Sequence, residues 1–246
     1  MIQLHLIGIG TGNPEHLTGE AIRALNGADL ILVPRKENAV DLADLRRTIC
    51  AAVLTQDVPI AEFDMPVRAG EGDYLHAVHA WHDAIAATWR ATIDAHLPGG
   101  GAVALLVWGD PSLYDSTLRI ATRLPDMGVR VVPGITSIQA LTAAHAIPLN
   151  PLAGPVTITT GRRLRAQGWP VGAETLVVML DGGCAFEALD PAGLSIWWGA
   201  YLGMPQQALD RGPLVEAGPR IVATRAALRA RHGWIMDVYL LRKDPQ

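Results

Sequence analysis

GIGTGNPEHLT at residues 8–18 and WGDPSLYDST at residues 108–117 each follow an apolar run that ends where a glycine-containing loop begins. Such runs are typical of strands that are buried on both faces of a parallel sheet. If both strands lie in one parallel sheet, the two loops open onto the same edge. Open parallel sheets bind their ligands beyond the carboxyl ends of the strands. The two segments therefore predict one small-molecule pocket built from distant parts of the chain.

Composition limits the classes of protein to consider. The chain has 246 residues, half of them hydrophobic, which suits one large domain or two joined α/β units. Its formal net charge of −4 comes from interspersed acidic and basic residues, so we expect neither nucleic acid nor an anionic membrane as a partner. The start, MIQLHLIGIGTG, lacks a basic leader and predicts a strand rather than a signal peptide, and no apolar stretch approaches the length of a membrane span. Cys50 and Cys184 have no CxxC partner, which favours reduced thiols and a cytoplasmic location.

Apolar periodicity predicts two α/β domains, residues 1–150 and residues 151–246, with the boundary among the turn formers of residues 150–155. In the first domain the expected strands cover 4–9, 30–33, 102–107 and 129–132, and the expected helices cover 17–26, 39–54, 73–97, 112–123 and 136–147. In the second domain the expected strands cover 156–160, 175–180, 195–201 and 234–241, and a helix covers 223–231.

The first loop resembles a dinucleotide fingerprint only superficially. Its glycines follow the spacing GxGxG rather than GxGxxG. Pro14 removes a backbone N–H, and Glu15 places negative charge where a pyrophosphate would bind. The acidic residue expected to bind a ribose is absent after the second strand, which leaves an NADP-dependent reductase as a weaker alternative. A structural alternative is that the glycines allow positive φ in a tight turn, with Asn13 capping and Pro14 starting a helix.

The second loop carries Asp110 between Gly109 and Pro111, directly after an apolar strand. There a carboxylate can accept hydrogen bonds from an ammonium or hydroxyl group of a ligand. Because Asp-Pro also opens ordinary turns, this segment taken alone is compatible with function and with turn geometry.

Four separated segments, GIGTGNPEHLT, WGDPSLYDST, VVPGITSIQALTAAHAIPL and ETLVVML, occur in an order and spacing that resembles the tetrapyrrole methylase family. The resemblance covers residues 4–180 at least. It implies the two-domain α/β fold of that family, a cleft between the domains that binds S-adenosyl-L-methionine as methyl donor, and a homodimer. It also implies a set of donor contacts: Thr11, Asp110, Leu113, Thr136, Ser137, Met179, Ala223 and Thr224. Thr11 and Asn13 depart from the proline and acidic residue of many relatives, so substrate contacts there can differ.

The resemblance further implies methylation of a precorrin in cobalamin biosynthesis, with precorrin-5 methylated at ring carbon one and acetate released. The same motifs are compatible with two alternatives, another precorrin C-methyltransferase and a tetrapyrrole carrier without catalysis. Loss of an acetyl group calls for a general base or a group that positions water. We leave that group unassigned among Tyr114, Asp115 and Asp181, since capping or turn formation equally explains either aspartate.

A precorrin carries several carboxylates, which favours basic residues at the mouth of the pocket. The candidates follow predicted strands, and a solvated surface is the alternative for each of them: Arg35, Lys36, Arg162 and Arg163. His76, His79 and His82 form HxxHxxH on a predicted helix, but three-residue steps drift around the helix. We therefore predict a partly exposed histidine stripe and no metal site.

Overall fold

The structure, a computed structural model, describes residues 1–35, 40–68 and 74–244. It divides into two units, Met1–Thr136 and Ser137–Gln246. The sequence predicts the division after residue 150. The difference arises at the helix that follows Thr136, which packs on strands of the second unit. No helix of the described residues is both long and apolar enough to cross a bilayer.

The first unit contains a fully parallel sheet of five strands, ordered β3-β2-β4-β1-β5. Its strands are β1 (Ile2–Gly8), β2 (Leu30–Arg35), β3 (Ile60–Asp64), β4 (Gly101–Val107) and β5 (Gly128–Val132). The two central strands, β1 and β4, pair from Ile2–Gly101 to Gly8–Val107. Both end in fully buried runs, as expected of a sheet covered on both faces.

Helices cover both faces of this sheet and are α1 (Gly19–Asn26), α2 (Val40–Val53), α3 (Tyr74–His96) and α4 (Thr117–Ala121). On one face Leu4 and Leu6 pack with Trp89 and Ile93 of α3. On the other face Ile7 packs with residues of α1 and α2, including Ile49. A short 3-10 turn, Pro14–His16, precedes α1.

The second unit contains a mixed sheet ordered β6-β7-β10-β8-β9, in which only the β6–β7 pair is parallel. Its strands are β6 (Val156–Thr160), β7 (Thr175–Met179), β8 (Leu194–Ala200), β9 (Ala208–Pro213) and β10 (Asp237–Lys243). The helices are α5 (Ser137–His145), α6 (Gly161–Gln167) and α7 (Leu214–His232), with a 3-10 turn at Ala185–Ala188. The predicted α/β class is confirmed.

Two predicted helices differ from the observed ones by more than three residues. The helix expected over residues 112–123 is reduced to α4, because Asp110 and Asp115 accept hydrogen bonds from the backbone N–H two residues ahead and fold the segment into turns. The helix expected over residues 223–231 begins earlier, at Leu214, and contains Pro219 in its second turn. Among the described α-helices and strands, β3, β9 and α6 have no predicted counterpart.

Candidate active site

Three loops meet at the carboxyl edge of the first sheet. β1 lies between β4 and β5, and all three run parallel, so the loops that follow them start side by side. The first two loops pair directly, since the Gly109 N–H donates to the Gly10 carbonyl at 2.7 Å and the Gly10 N–H to the Gly109 carbonyl at 3.4 Å. The predicted meeting of residues 8–18 with residues 108–117 at one sheet edge is therefore confirmed.

A trio of glycines, Gly8, Gly109 and Gly134, allows the loop backbones to touch. A Cβ atom on Gly8 would lie 2.6 Å from the Gly134 nitrogen and 2.7 Å from the Gly109 carbonyl oxygen. A Cβ atom on Gly134 would overlap the Gly109 carbonyl oxygen and lie 2.7 Å from the Gly8 backbone. Gly109 also has φ +63°, a left-handed conformation that disfavours side chains. The edge is thus built by backbone contact, which fixes where the side chains of the loops lie.

Asp110 joins the second loop to the third. One carboxylate oxygen accepts from the Ser112 N–H at 2.8 Å and the Ser112 hydroxyl at 2.6 Å, and the other accepts from the Gly134 N–H at 2.9 Å. Burial by itself would raise the pKa of this carboxyl, but the hydrogen bonds from Ser112 and Gly134 outweigh it and hold the pKa below its usual value. These three hydrogen bonds use part of the acceptor capacity of the carboxylate, which offers about four acceptor positions.

The first loop has the local geometry of the structural alternative. Gly10 and Gly12 have φ of +71° and +114°, and the Asn13 side chain accepts from the Glu15 N–H at 3.0 Å. Pro14 starts only a three-residue turn, and α1 begins separately behind a Thr18 cap. The loop therefore does not deliver a helix N-terminus to the sheet edge, which weakens the phosphate-binding alternative further.

The remaining first-unit candidates lie in the same loops. The Thr11 hydroxyl is 2.9 Å from His16 Nδ1, and the Leu113 N–H donates to the Asp110 carbonyl at 3.2 Å. Tyr114 is exposed and has φ +51°. Asp115 accepts from the Thr117 N–H at 2.6 Å, which is the turn-forming role that the sequence left open. Thr136 follows Gly134 in the third loop and is the last residue of the first unit.

The second-unit candidates occupy different environments. Ser137 starts α5, and Met179 ends β7, paired with Thr160 of β6. Ala223 and Thr224 are exposed in the middle of α7. The donor contacts carried over from the resemblance stay predictions.

Asp181 is buried in the second unit, and both its carboxylate and its backbone carbonyl accept hydrogen bonds. Its carboxylate accepts from the Gly183 N–H at 3.0 Å, the Ala185 N–H at 2.5 Å and the Tyr239 hydroxyl at 2.7 Å. Arg225 donates to its carbonyl at 2.8 Å. These contacts favour capping of the Ala185–Ala188 turn, the structural alternative, over a catalytic base.

Among the basic candidates, Arg35 ends β2 and pairs with Asp64 at 2.9 Å and Glu62 at 3.5 Å, which favours a surface role. Lys36 lies outside the described residues. Arg162 and Arg163 are exposed in the first turn of α6, where Arg163 Nε donates to Gln167 at 2.9 Å.

The sequence did not reveal the partners of Asp110. Ser112 follows it closely, but Gly134 lies 24 residues away. The sequence PGI at residues 133–135 could have indicated Gly134 as a partner, because this turn directly follows β5, the strand next to β1.

Within the described part of the chain, no three His, Cys, Asp or Glu residues are placed to hold a metal ion. The predicted histidine stripe needs one correction. His76 and His79 are exposed, but His82 is buried.

Comparison with known proteins gives concordant results. The sequence profile of the family described as Tetrapyrrole (Corrin/Porphyrin) Methylases matches residues 3–218. A precorrin-6A synthase [deacetylating] from Sinorhizobium sp is 49% identical over 251 residues, which cover 99% of this chain and 96% of that protein. A precorrin-2 C(20)-methyltransferase from Sinorhizobium sp is 31% identical over 58% of this chain and 59% of its own length. A crystal structure of a cobalamin synthesis related protein (CobF) from Corynebacterium diphtheriae superposes with a TM-score of 0.85 at 40% identity and covers 100% of both chains.

Proposed function

Because the chain belongs to the tetrapyrrole methylase family, we propose that it is an S-adenosylmethionine-dependent C-methyltransferase of cobalamin biosynthesis that converts precorrin-5 into precorrin-6A with release of acetate. The observation that carries this proposal is the 49% identity with a precorrin-6A synthase [deacetylating], which extends over nearly the whole of both chains. A relative that differs in its reaction, the precorrin-2 C(20)-methyltransferase, matches at lower identity and over little more than half of this chain.

The residues at the sheet edge fit a charged nucleoside that lacks phosphate. Asp110 carries a carboxylate whose lowered pKa keeps it ionised at neutral pH, and we propose that its remaining acceptor capacity serves a hydroxyl or ammonium group. Glu15 and Pro14 disfavour a phosphate at the first loop. When bound, S-adenosylmethionine supplies a methyl group on a cationic sulfur, so that its leaving group is neutral.

The chain's own contribution to methyl transfer is alignment. A nucleophilic ring carbon and a sulfonium methyl need no proton transfer, so rate depends on holding the two in line away from water. We propose that the three-loop edge, formed by the loops that follow β1, β4 and β5, does this. The residues proposed to contact the donor are the following: Thr11, Asp110, Leu113, Thr136, Ser137, Met179, Ala223 and Thr224.

Release of acetate demands more of the protein. Water adds to the acetyl carbonyl, the bond from that carbon to the ring breaks, and the electron pair passes into the conjugated macrocycle. A side chain that accepts a proton from the water or orients it would assist. Tyr114 and Asp115 remain candidates because they lie in the loop after β4, whereas the internal bonds of Asp181 direct it to a structural role.

A cytoplasmic location, a homodimer and the absence of a metal are further parts of the proposal. They rest on the family resemblance and on the two cysteines without a CxxC partner, which favour reduced thiols. Sedimentation of the purified protein tests the dimer.

Turnover by the purified protein tests the proposed reaction. With precorrin-5 and S-adenosylmethionine supplied, we expect one acetate to be released for each methyl group gained. Mass spectrometry measures the methyl gain, and an enzymatic assay measures the acetate. Methyl gain without acetate would instead indicate another precorrin methylase. Tight macrocycle binding without methyl gain would indicate a carrier, and calorimetric binding of NADPH but not of S-adenosylhomocysteine would indicate a reductase.

Asp110→Ala tests the donor site separately. The substitution removes the carboxylate proposed to accept from the ligand and its bond to the Gly134 N–H, so we expect the Kd for S-adenosylhomocysteine to rise at least about tenfold by calorimetry. Asp126→Ala is the matched control, because Asp126 is an exposed carboxylate of the same unit that pairs with Arg90. Wild-type affinity in a folded Asp110→Ala protein would show that Asp110 does not contact the donor.

A further inference from the structure

Arg46, on α2, is a largely buried cation with no acidic partner among the described residues. Its Nε donates to the Leu106 carbonyl at 3.2 Å, and a terminal nitrogen donates to the Leu42 carbonyl at 3.3 Å. Asp115 acts on it only through space, without a hydrogen bond. Burial lowers its pKa to about 10, which still leaves the guanidinium charged at neutral pH. A buried charge that no carboxylate neutralises is costly to keep.

The bond to Leu106 has a cause in the sheet. β2 and β4 pair as far as Leu32–Leu105, and the next β2 residue that faces β4 is Pro34. Proline has no N–H, so it leaves the Leu106 carbonyl without its partner in the ladder. Arg46 supplies the missing donor and is thereby fixed at the carboxyl end of β4.

The guanidinium also reaches the candidate active site. It lies over the Trp108 ring at 4.7 Å from the centroid, and Trp108 is the residue that opens the loop to Gly109 and Asp110. Of the five N–H groups of an arginine, two are used by Leu106 and Leu42, which leaves donors on both terminal nitrogens. A planar pair of such donors matches a carboxylate.

We infer that Arg46, held by the Leu106 carbonyl and the Trp108 ring, binds a carboxylate of a ligand at the β4 side of the three-loop edge. The inference rests on the proposed function, which brings two sources of carboxylate to this edge, the acidic side chains of the macrocycle and the amino-acid end of the donor. Both offer the same chemistry to Arg46. Because no carboxylate of the described residues pairs with Arg46, its remaining donors are available to either.

Arg46→Gln is the test, because glutamine can still donate to the Leu106 carbonyl while the charge is lost. Arg47→Gln is the matched control, since Arg47 is the next residue of α2 but already pairs with Glu62 and Asp44. Two equilibrium titrations are made on each protein, one with S-adenosylhomocysteine and one with a polycarboxylate porphyrin, and the methyl ester of that porphyrin serves as an uncharged reference. Thermal unfolding reports the structural effect. If Arg46→Gln does not fold, Arg46→Lys replaces it, because lysine keeps the charge but loses the planar pair of donors that matches a carboxylate.

We expect Arg46→Gln to weaken binding of one carboxylate ligand at least about tenfold, with the ester and the Arg47→Gln protein unaffected. Loss confined to the porphyrin assigns the macrocycle carboxylate, and loss confined to S-adenosylhomocysteine assigns that of the donor. Unchanged binding of both, or an equal loss in Arg47→Gln, would overturn the inference. Because these titrations need no turnover, they remain decisive if the proposed reaction fails in the wild-type protein.

Discussion

Gly134 shows how one absent side chain sets the geometry of the site. Neighbouring strands in a sheet lie about 4.8 Å apart, and the loops that follow them normally diverge. Here Gly8, Gly109 and Gly134 bring three loop backbones into contact, and Asp110 then reaches the Gly134 N–H at 2.9 Å. The side chain that we propose for donor binding is therefore positioned by residues that have no side chain of their own.

Gly134→Ala should disturb both the fold and the site. Its Cβ would overlap the Gly109 carbonyl oxygen, and neither backbone can yield without moving a strand end. We expect a loss of about 1–3 kcal/mol in the free energy of unfolding, as for other overpacked positions, together with weaker binding of S-adenosylhomocysteine.

Urea unfolding and calorimetry measure the two effects of Gly134→Ala. Gly99→Ala is the control, because no atom lies within 4 Å of the added Cβ and the residue precedes the opposite end of β4. A Gly134→Ala protein as stable as the Gly99→Ala protein would refute the backbone-contact interpretation.

At the scale of elements, the sequence predicts best what is buried on both faces. β1 and β4 are nearly continuous apolar runs and were predicted to within a few residues. β3 and β9 lie at the edges of their sheets, and their sequences, IAEFD and ALDRGP, mix exposed and polar residues, so no apolar run reveals them. The sequence does not predict α6, because GRRLRAQ has only one large apolar residue and so shows no apolar periodicity.

His82 on α3 is an element-scale exception that periodicity could not reveal. It is 3% exposed, and neither ring nitrogen has a hydrogen-bond partner within the part of the chain that the structure describes. Burial, helped by the nearby charges of Arg123 and Arg119 and by His79, lowers its pKa, against a smaller opposing effect of Asp83. The protonated ring is thus disfavoured in the folded chain.

His82→Phe should therefore reduce the loss of unfolding free energy that occurs as the pH falls below neutral. Below a pH of about 6.5 the unfolded chain binds a proton at this histidine more readily than the folded chain, so wild-type stability falls by up to about 1.4 kcal/mol per pH unit from this group alone. Phenylalanine removes that dependence. Chemical unfolding between neutral and mildly acidic pH measures it, with His76→Phe as the exposed control, and parallel profiles for wild type and His82→Phe would contradict it.

At the scale of the whole molecule, the sequence predicts the family more completely than it predicts the contacts within the site. Four motifs spread over both units identify the methylase family because each has its own strand and turn context. Pairings such as Asp110 with Gly134, or Arg46 with the Leu106 carbonyl, depend on which strands become neighbours and on where a proline interrupts a ladder. Sequence spacing alone does not contain that information. The cleft between the domains stays a prediction.

The two cysteines allow each unit to be followed separately in the intact protein. Cys50 is buried in α2 of the first unit and Cys184 precedes the 3-10 turn of the second, and burial raises the pKa of each thiol to about 11. At pH 8 only about one thiol in a thousand would be ionised, so alkylation should wait for local opening. We expect slow labelling of both by N-ethylmaleimide in the native protein and rapid labelling in denaturant, with Cys50→Ser and Cys184→Ser assigning the rates by mass spectrometry. S-adenosylhomocysteine should slow both labelling rates if Asp110 and Met179 both bind it as proposed, whereas protection of Cys50 alone would remove Met179 from the proposed donor contacts.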